Sequence, residues 1–401
     1  MDHLLEKATR RHTKDHNNRL VLRTIYEYGE ISRAELARIT QLTRTTVSEV
    51  VGDLIERELV QEVGHGSISI GRTPMLLSVI DNARQMLAIS VTNDEIAGAL
   101  VNLRGSLVRR VTHALPDRAG DTVLATIYAV ADELTAAATK PLLGIGINTP
   151  GLIDTSSGTV LRTINFGWED LPLRALLHTR YGIPIYIAND SQTLALARYR
   201  FAETQDSPNL VVVKVGRGIG AGIVLGGHLF AGDGYGAGEI GHMVVAEHGA
   251  LCKCGNYGCL ETVASSAVIL ARARDLAAAA PQSVLHKVDQ PTMSILAAAA
   301  QNGDQAANAA IAEAGYFLGI AVANIVGVLN VRHIVITGRV APLGSLLADV
   351  VQSTLARRVL PVLARDTRIE VVALDPDAPL IGAIAPLLTY ELGLARLHTN
   401  S

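Results

Sequence analysis

All three cysteines of the 401-residue chain fall between positions 252 and 259, and this spacing limits the local fold more sharply than any other feature. The segment reads Cys252-Lys253-Cys254-Gly255-Asn256-Tyr257-Gly258-Cys259. Thiolates spaced C-x-C-x4-C, with glycines that let the backbone fold round a small ion, supply three corners of a tetrahedron. One imidazole would complete a Cys3His zinc site. Four protein ligands leave no open coordination position, so one structural Zn2+ per chain is expected rather than a catalytic one. His242 and His248 both lie close enough in sequence to be the fourth ligand. Three buried apolar cysteines are the plain alternative, and the glycines and polar residues between them weigh against it. Cysteines so grouped make no secreted disulfide framework, which reads as cytoplasmic.

The rest of the composition permits a multidomain globular protein. Apolar residues make up 49% and charged residues 18%, enough for large cores and without a disorder signature. The longest apolar run, Phe317 to Leu329, is broken by Asn324, and the N-terminus is charged from Asp2 onward. Neither a membrane span nor a signal peptide is expected. A net charge of −3 excludes a uniformly basic nucleic-acid coat but allows a local DNA-reading module.

Residues 1–80 have the pattern of such a module. Within residues 1–23 there are six basic against three acidic side chains. Leu20, Val21, Thr24, Ile25 and Tyr28 line one helical face, and Gly29 stops that helix. Ser32-Arg33-Ala34-Glu35 is a capping box that starts a second helix. Thr43 can cap a third, whose apolar positions Val47, Val50, Val51, Leu54 and Ile55 leave Arg44, Thr45, Ser48 and Glu49 on the other face. Two short helices joined by a tight turn, the second with small polar residues leading, suit a helix-turn-helix that enters the major groove. Leu59 to Val63 and Met75 to Val79 read as strands around a wing ending Gly71-Arg72-Thr73-Pro74. The candidate DNA contacts are Arg33, Thr43, Arg44, Thr45, Thr46, Ser48 and Arg72.

From residue 81 strands and helices alternate. Strands 85–91, 95–102 and 107–113, a helix over 121–139 and a strand at 144–148 are expected, and 210–215 with 221–225 repeats the opening hairpin. Two such halves in tandem predict an α/β domain with two lobes, roughly 81–190 plus the C-terminal helix, and 191–380. The Ala-rich stretch 264–315 has helical Leu and Ile spacing, with breaks at Pro281 and Pro291.

Gly238-Glu239-Ile240-Gly241-His242, followed by the cysteine segment and Glu261, is the most specific longer motif. With Pro150-Gly151, Asn165-Phe166-Gly167-Trp168, Pro184 and Asn189-Asp190 it makes the chain resemble the ROK family (repressors, open reading frames and sugar kinases) over nearly its whole length. Within that family the chain is similar to the sugar-responsive repressors, which alone carry an N-terminal winged helix. The resemblance implies a winged helix-turn-helix followed by a two-lobed, actin-like (ribonuclease-H-like) ATPase fold, with His242 rather than His248 on zinc. It implies that a sugar is held by Asn189, Asp190, Glu239, His242 and Glu261, with Asn165 at the rim. Carboxylates, an amide and an imidazole suit the fan of hydroxyls on a neutral carbohydrate.

The family contains both kinases and sensors. In a kinase Asp190 would be the general base. Phosphoryl transfer needs backbone N–H groups cradling phosphate, which calls for glycine at close approach. The family's first phosphate loop is replaced here by Ser90-Val91-Thr92-Asn93-Asp94, without glycine and with a repelling carboxylate. Arg217 interrupts the second, Gly216 to Gly222, and Arg339 stands where the adenosine-side segment has glycine. A non-enzymatic repressor of carbohydrate genes is therefore expected, binding operator DNA as a homodimer or dimer of dimers and modulated by a sugar. The alternative is a sugar kinase or bifunctional repressor-kinase phosphorylating a hexose with ATP.

Overall fold

The computed structural model describes residues 10–65, 74–201 and 207–394. The N-terminal segment is a winged helix. Helix Arg10–Tyr28 ends at Gly29 (φ +76°), and Ile31–Ser32 then pairs with strand Met75–Val79, which also pairs antiparallel with Val60–His65. The capping box forms as its residues require. Ser32 Oγ accepts the Glu35 N–H, and the Glu35 carboxylate accepts the Ser32 N–H at 3.0 Å. Thr43 Oγ1 accepts the Thr46 N–H at 3.1 Å and starts helix Arg44–Glu56, which buries Val47, Val50, Val51 and Leu54. The tip of the wing, with Arg72, lies outside the described residues.

Beyond residue 80 the expected duplication is present. One five-stranded sheet combines Gln85–Val91, Glu95–Asn102, Leu107–Ala114, Leu142–Thr149 and Ile185–Asn189. The other combines Leu210–Val215, Ile219–Leu225, His228–Leu229, His333–Gly338 and Arg368–Val371. Numbered along the chain, both run in the order three-two-one-four-five, with the second strand antiparallel to the first and the fourth parallel to it. This is the repeated ribonuclease-H-like sheet of an actin-like fold. The small sheet Leu152–Asp154, Thr159–Thr163 and Trp168–Leu171 and the helix Gly344–Ala356 were not expected from the sequence.

Two compact units result. Met1–Asn148, Pro172–Ile187 and Ala383–Ser401 form the first, and Thr149–Leu171 with Ala188–Gly382 the second. The first therefore takes in the winged helix. Its attachment is specific: Tyr26, 1% exposed, donates its hydroxyl to the Leu103 carbonyl at 3.0 Å. The Arg104 guanidinium lies 4.2 Å from the centre of the Tyr26 ring, donates to the Tyr26 carbonyl at 2.8 Å and pairs with Asp81 at 2.9 Å.

Helix Gln305–Leu329 is long and apolar enough, by length and composition, to cross a membrane. It packs instead in the core of the second unit, burying Ile311, Leu318, Val322 and Val326 against Val351, Leu355 and their neighbours.

Candidate functional site

Strand Ile219–Leu225 is the wall on which the site is built. The Ala221 N–H donates to the Gly238 carbonyl at 2.7 Å, and Gly238 has φ +98°. A Cβ there would run into the Ala221 carbonyl, so only glycine lets this segment lie against the strand. The short 3₁₀ turn Ile240–His242 that follows carries the imidazole to the cysteine loop. That loop is held by antiparallel bridges between Val244 and Cys259 and between Leu251 and Tyr257.

The donor atoms of His242, Cys252, Cys254 and Cys259 all lie within 4.8 Å of one another. Cys254 Sγ stands 3.6 Å from Cys259 Sγ, and Cys252 Sγ 3.7 Å from His242 Nδ1. A disulfide would need a bond of about 2.0 Å. A tetrahedron with Zn–S distances of about 2.3 Å has edges of about 3.7 Å, which these separations match. The Asn256 backbone N–H draws the Cys254 thiol down to about 7, while burial pushes Cys259 up to about 12. Soft donors crowded this closely fit a zinc ion. The structure leaves His248 exposed and so decides which histidine belongs to the set.

The carboxylates gather beside this loop. Asp190 opens helix Asp190–Phe201; its Oδ1 accepts the Ser191 N–H at 2.7 Å and its Oδ2 an N–H of Lys214 at 2.5 Å. Glu261 Oε2 accepts the Ile219 N–H at 3.1 Å. Burial raises the Glu239 carboxyl above the ordinary range; His242 opposes this, while the Asp190 and Glu261 carboxylates add to it. Asp190, Glu239, His242 and Glu261 thus share one electrostatic neighbourhood.

Asn189 is used differently. Its Nδ2 donates to the Gly151 carbonyl at 2.9 Å, and its Oδ1 accepts the Ser191 and Gln192 N–H groups, so it ties the Pro150-Gly151 turn to the helix start. Asn165 sits half-buried in the turn between Thr159–Thr163 and Trp168–Leu171. The expected placement of Asn189-Asp190 on one lobe, with Glu239, His242 and Glu261 on the other, is corrected. All five belong to the second compact unit, because helix Asp190–Phe201 packs on strands Leu210–Val215 and Ile219–Leu225. Lys214 was missed; its only sequence signal is a lone charge in the apolar run Leu-Val-Val-Val-Lys-Val.

In the segments that stand where the family's kinases hold phosphate, several polar groups are engaged within the chain. Thr92 bonds across the first turn to Glu95, and Arg118 pairs with Asp94 at 3.4 Å. In the glycine-rich loop, the Ile219 amide is donated to Glu261 and the Gly216 amide to the Gly218 carbonyl.

On the winged helix, Thr43, Arg44, Thr45 and Ser48 are exposed, and Thr46 is partly so. Thr43 and Thr46 are joined through the cap, and Arg33 is paired with Glu62 at 2.9 Å. Arg44, Thr45 and Ser48 are the accessible face at the head of the third helix.

The ROK family model matches residues 65–389 and the MarR family model residues 17–66. The chain is 31% identical to the xylose repressor of Caldicellulosiruptor bescii, covering 94% of this chain and 97% of that protein. It is 32% identical to the DNA-binding transcriptional dual regulator NagC of Escherichia coli, with 93% and 92% covered. A crystal structure described as a ROK family transcriptional regulator, homologous to the Escherichia coli MLC protein, superposes with a TM-score of 0.84 at 30% identity, covering 96% and 98% of the two chains. The chain belongs to the ROK family.

Proposed function

We propose, from that membership and the two sites described, that this chain is a cytoplasmic, sugar-responsive transcriptional repressor of carbohydrate genes rather than a kinase. One observation carries the reading. An exposed helix head suited to base contact is joined, in one chain, to a carboxylate cluster beside a Cys3His site, while the first phosphate segment lacks glycine and carries Asp94, paired with Arg118.

Arg44, Thr45 and Ser48 would face bases, with Arg72 on the wing reaching backbone or minor groove. Thr43 and Thr46 shape the helix start, and Arg33 would reach DNA only by leaving Glu62. One winged helix covers too few base pairs for useful specificity, so a homodimer, or a dimer of dimers, on a palindromic operator is the working form.

In the second unit Asp190, Glu239 and Glu261 would accept sugar hydroxyl protons, Asn189 would position Asp190, and Asn165 would sit at the rim. One structural zinc would bind through His242 Nδ1, Cys252, Cys254 and Cys259, supplying fixed charge and geometry. Held there, the His242 ring would turn its other nitrogen toward a hydroxyl. Because sugar and DNA would engage different compact units, the sugar must bind one arrangement of the chain more tightly than another. Couplings of about 1–3 kcal/mol would change operator affinity some 5- to 150-fold.

The test is an anisotropy titration of operator DNA with and without sugar. The name of the xylose repressor puts D-xylose first in the panel, with D-glucose and N-acetyl-D-glucosamine beside it. Asp190→Ala should bind operator as wild type does without sugar and lose the modulation. Retained modulation would remove Asp190 from the sensor, and sugar phosphate formed from ATP would restore the kinase reading.

A further inference from the structure

Lys214 has no place in the reading so far, yet its position is hard to explain by packing. Strand Leu210–Val215 is otherwise buried along its length, and the lysine occupies the face that Leu210 and Val212 use to cover Leu194 and Ala195 of helix Asp190–Phe201. A valine would serve there. Instead the chain brings an ammonium partly out of water, which costs stability unless a partner offsets it. The partner is Asp190, only 15% exposed, with Oδ2 at 2.5 Å from Nζ.

This pairing changes what Asp190 can do. Held against Nζ, Asp190 is placed to accept hydrogen bonds directly beside a donor. Its Oδ1 already accepts the Ser191 N–H and, at 3.3 Å, the Ser191 hydroxyl, while Oδ2 keeps a second lone pair and the ammonium two further N–H donors. Acceptor and donor then lie side by side, the spacing that two adjacent hydroxyls present.

We infer that Lys214 is a specificity-determining residue of the ligand site, and that the Lys214–Asp190 pair reads a vicinal diol of a neutral sugar. The inference rests on the sugar-sensor reading above and deepens it. No proton is transferred. One hydroxyl donates to Asp190, and its neighbour accepts from Lys214.

The experiment uses the full-length protein and a thermal-shift and calorimetric panel of D-xylose, D-glucose and N-acetyl-D-glucosamine, together with the mono-deoxy analogues of whichever sugar binds. Lys214→Met should weaken that sugar about tenfold or more while leaving sugar-free operator binding unchanged, and Lys214→Arg should recover part of the loss. The analogue lacking the hydroxyl read by Lys214 should bind wild type about tenfold more weakly than the parent sugar. Lys214→Met should hardly distinguish the two. A purely structural lysine would not produce that loss of discrimination. If wild type binds a sugar and Lys214→Met binds sugar and every analogue as wild type does, Lys214 has no such role. If wild type binds no sugar in the panel, the sensor reading fails and takes this one with it.

Discussion

Gly258 shows how little freedom the metal loop has. Its φ is +71°, and a Cβ would run into the Ala246 carbonyl, so Gly258→Ala should distort the ligand loop as effectively as removing a ligand. Metal analysis should find one zinc per wild-type chain and substoichiometric zinc in both Gly258→Ala and Cys254→Ala. A strong chelator should lower the Tm of wild type and leave that of Cys254→Ala unchanged. The cysteines were legible because their chemistry is in their identity and their spacing. Spacing alone left His242 and His248 both open; the family resemblance of the Gly238-to-His242 motif pointed to His242, and the fold over strand Ile219–Leu225 brings that ring to the cysteines. Lys214 escaped notice because a lone lysine in a strand is usually a solvated side chain. Nor does sequence show that Asn189 spends its amide on the turn and helix start.

At the level of elements, the capping box carries a measurable share of the DNA-binding module. Ser32→Ala removes the acceptor for the Glu35 N–H and should cost about 1 kcal/mol in denaturant unfolding. Hydrogen bonds from Ser32 also hold the Glu35 carboxyl below the ordinary glutamate range. A depressed pKa means that this contribution is present above the unfolded-state value and is lost as pH falls through the folded one. Glu35→Ala should therefore be less stable than wild type at neutral pH, with the gap narrowing in acid. The exposed head of the following helix has the opposite profile: Arg44→Ala should leave stability unchanged and cost about 1–3 kcal/mol in operator binding, with relaxed sequence preference, by anisotropy titration. Caps and periodicity made these helices legible. The sheet Leu152–Leu171 was not, because its strands run three to five residues and its outward positions are mostly polar, too short for an alternation to emerge.

For the whole molecule, the repeated sheet order was foreseeable from the repeated hairpin-and-helix pattern, whereas the division into units was not. It depends on which strands a helix covers, and helix Asp190–Phe201 covers those that follow it. The same holds for the attachment of the winged helix, made by Tyr26 to a turn 77 residues away in the chain. Arg104→Ala removes the ring contact, the bond to the Tyr26 carbonyl and the pair with Asp81 together, and should add to the wild-type calorimetric profile a separate, lower-temperature transition for the winged helix. In the proposed dimer on a palindromic operator, that attachment also decides what kind of ruler the protein is. A reading head on a slack tether accepts half-sites at many separations; one bolted to a folded unit behaves as a calliper jaw. Each base pair inserted between half-sites turns one of them by about 34° and moves it about 3.4 Å. Binding should therefore collapse with one or two inserted pairs in wild type, and Arg104→Ala should trade affinity at the native spacing for tolerance of the wrong one.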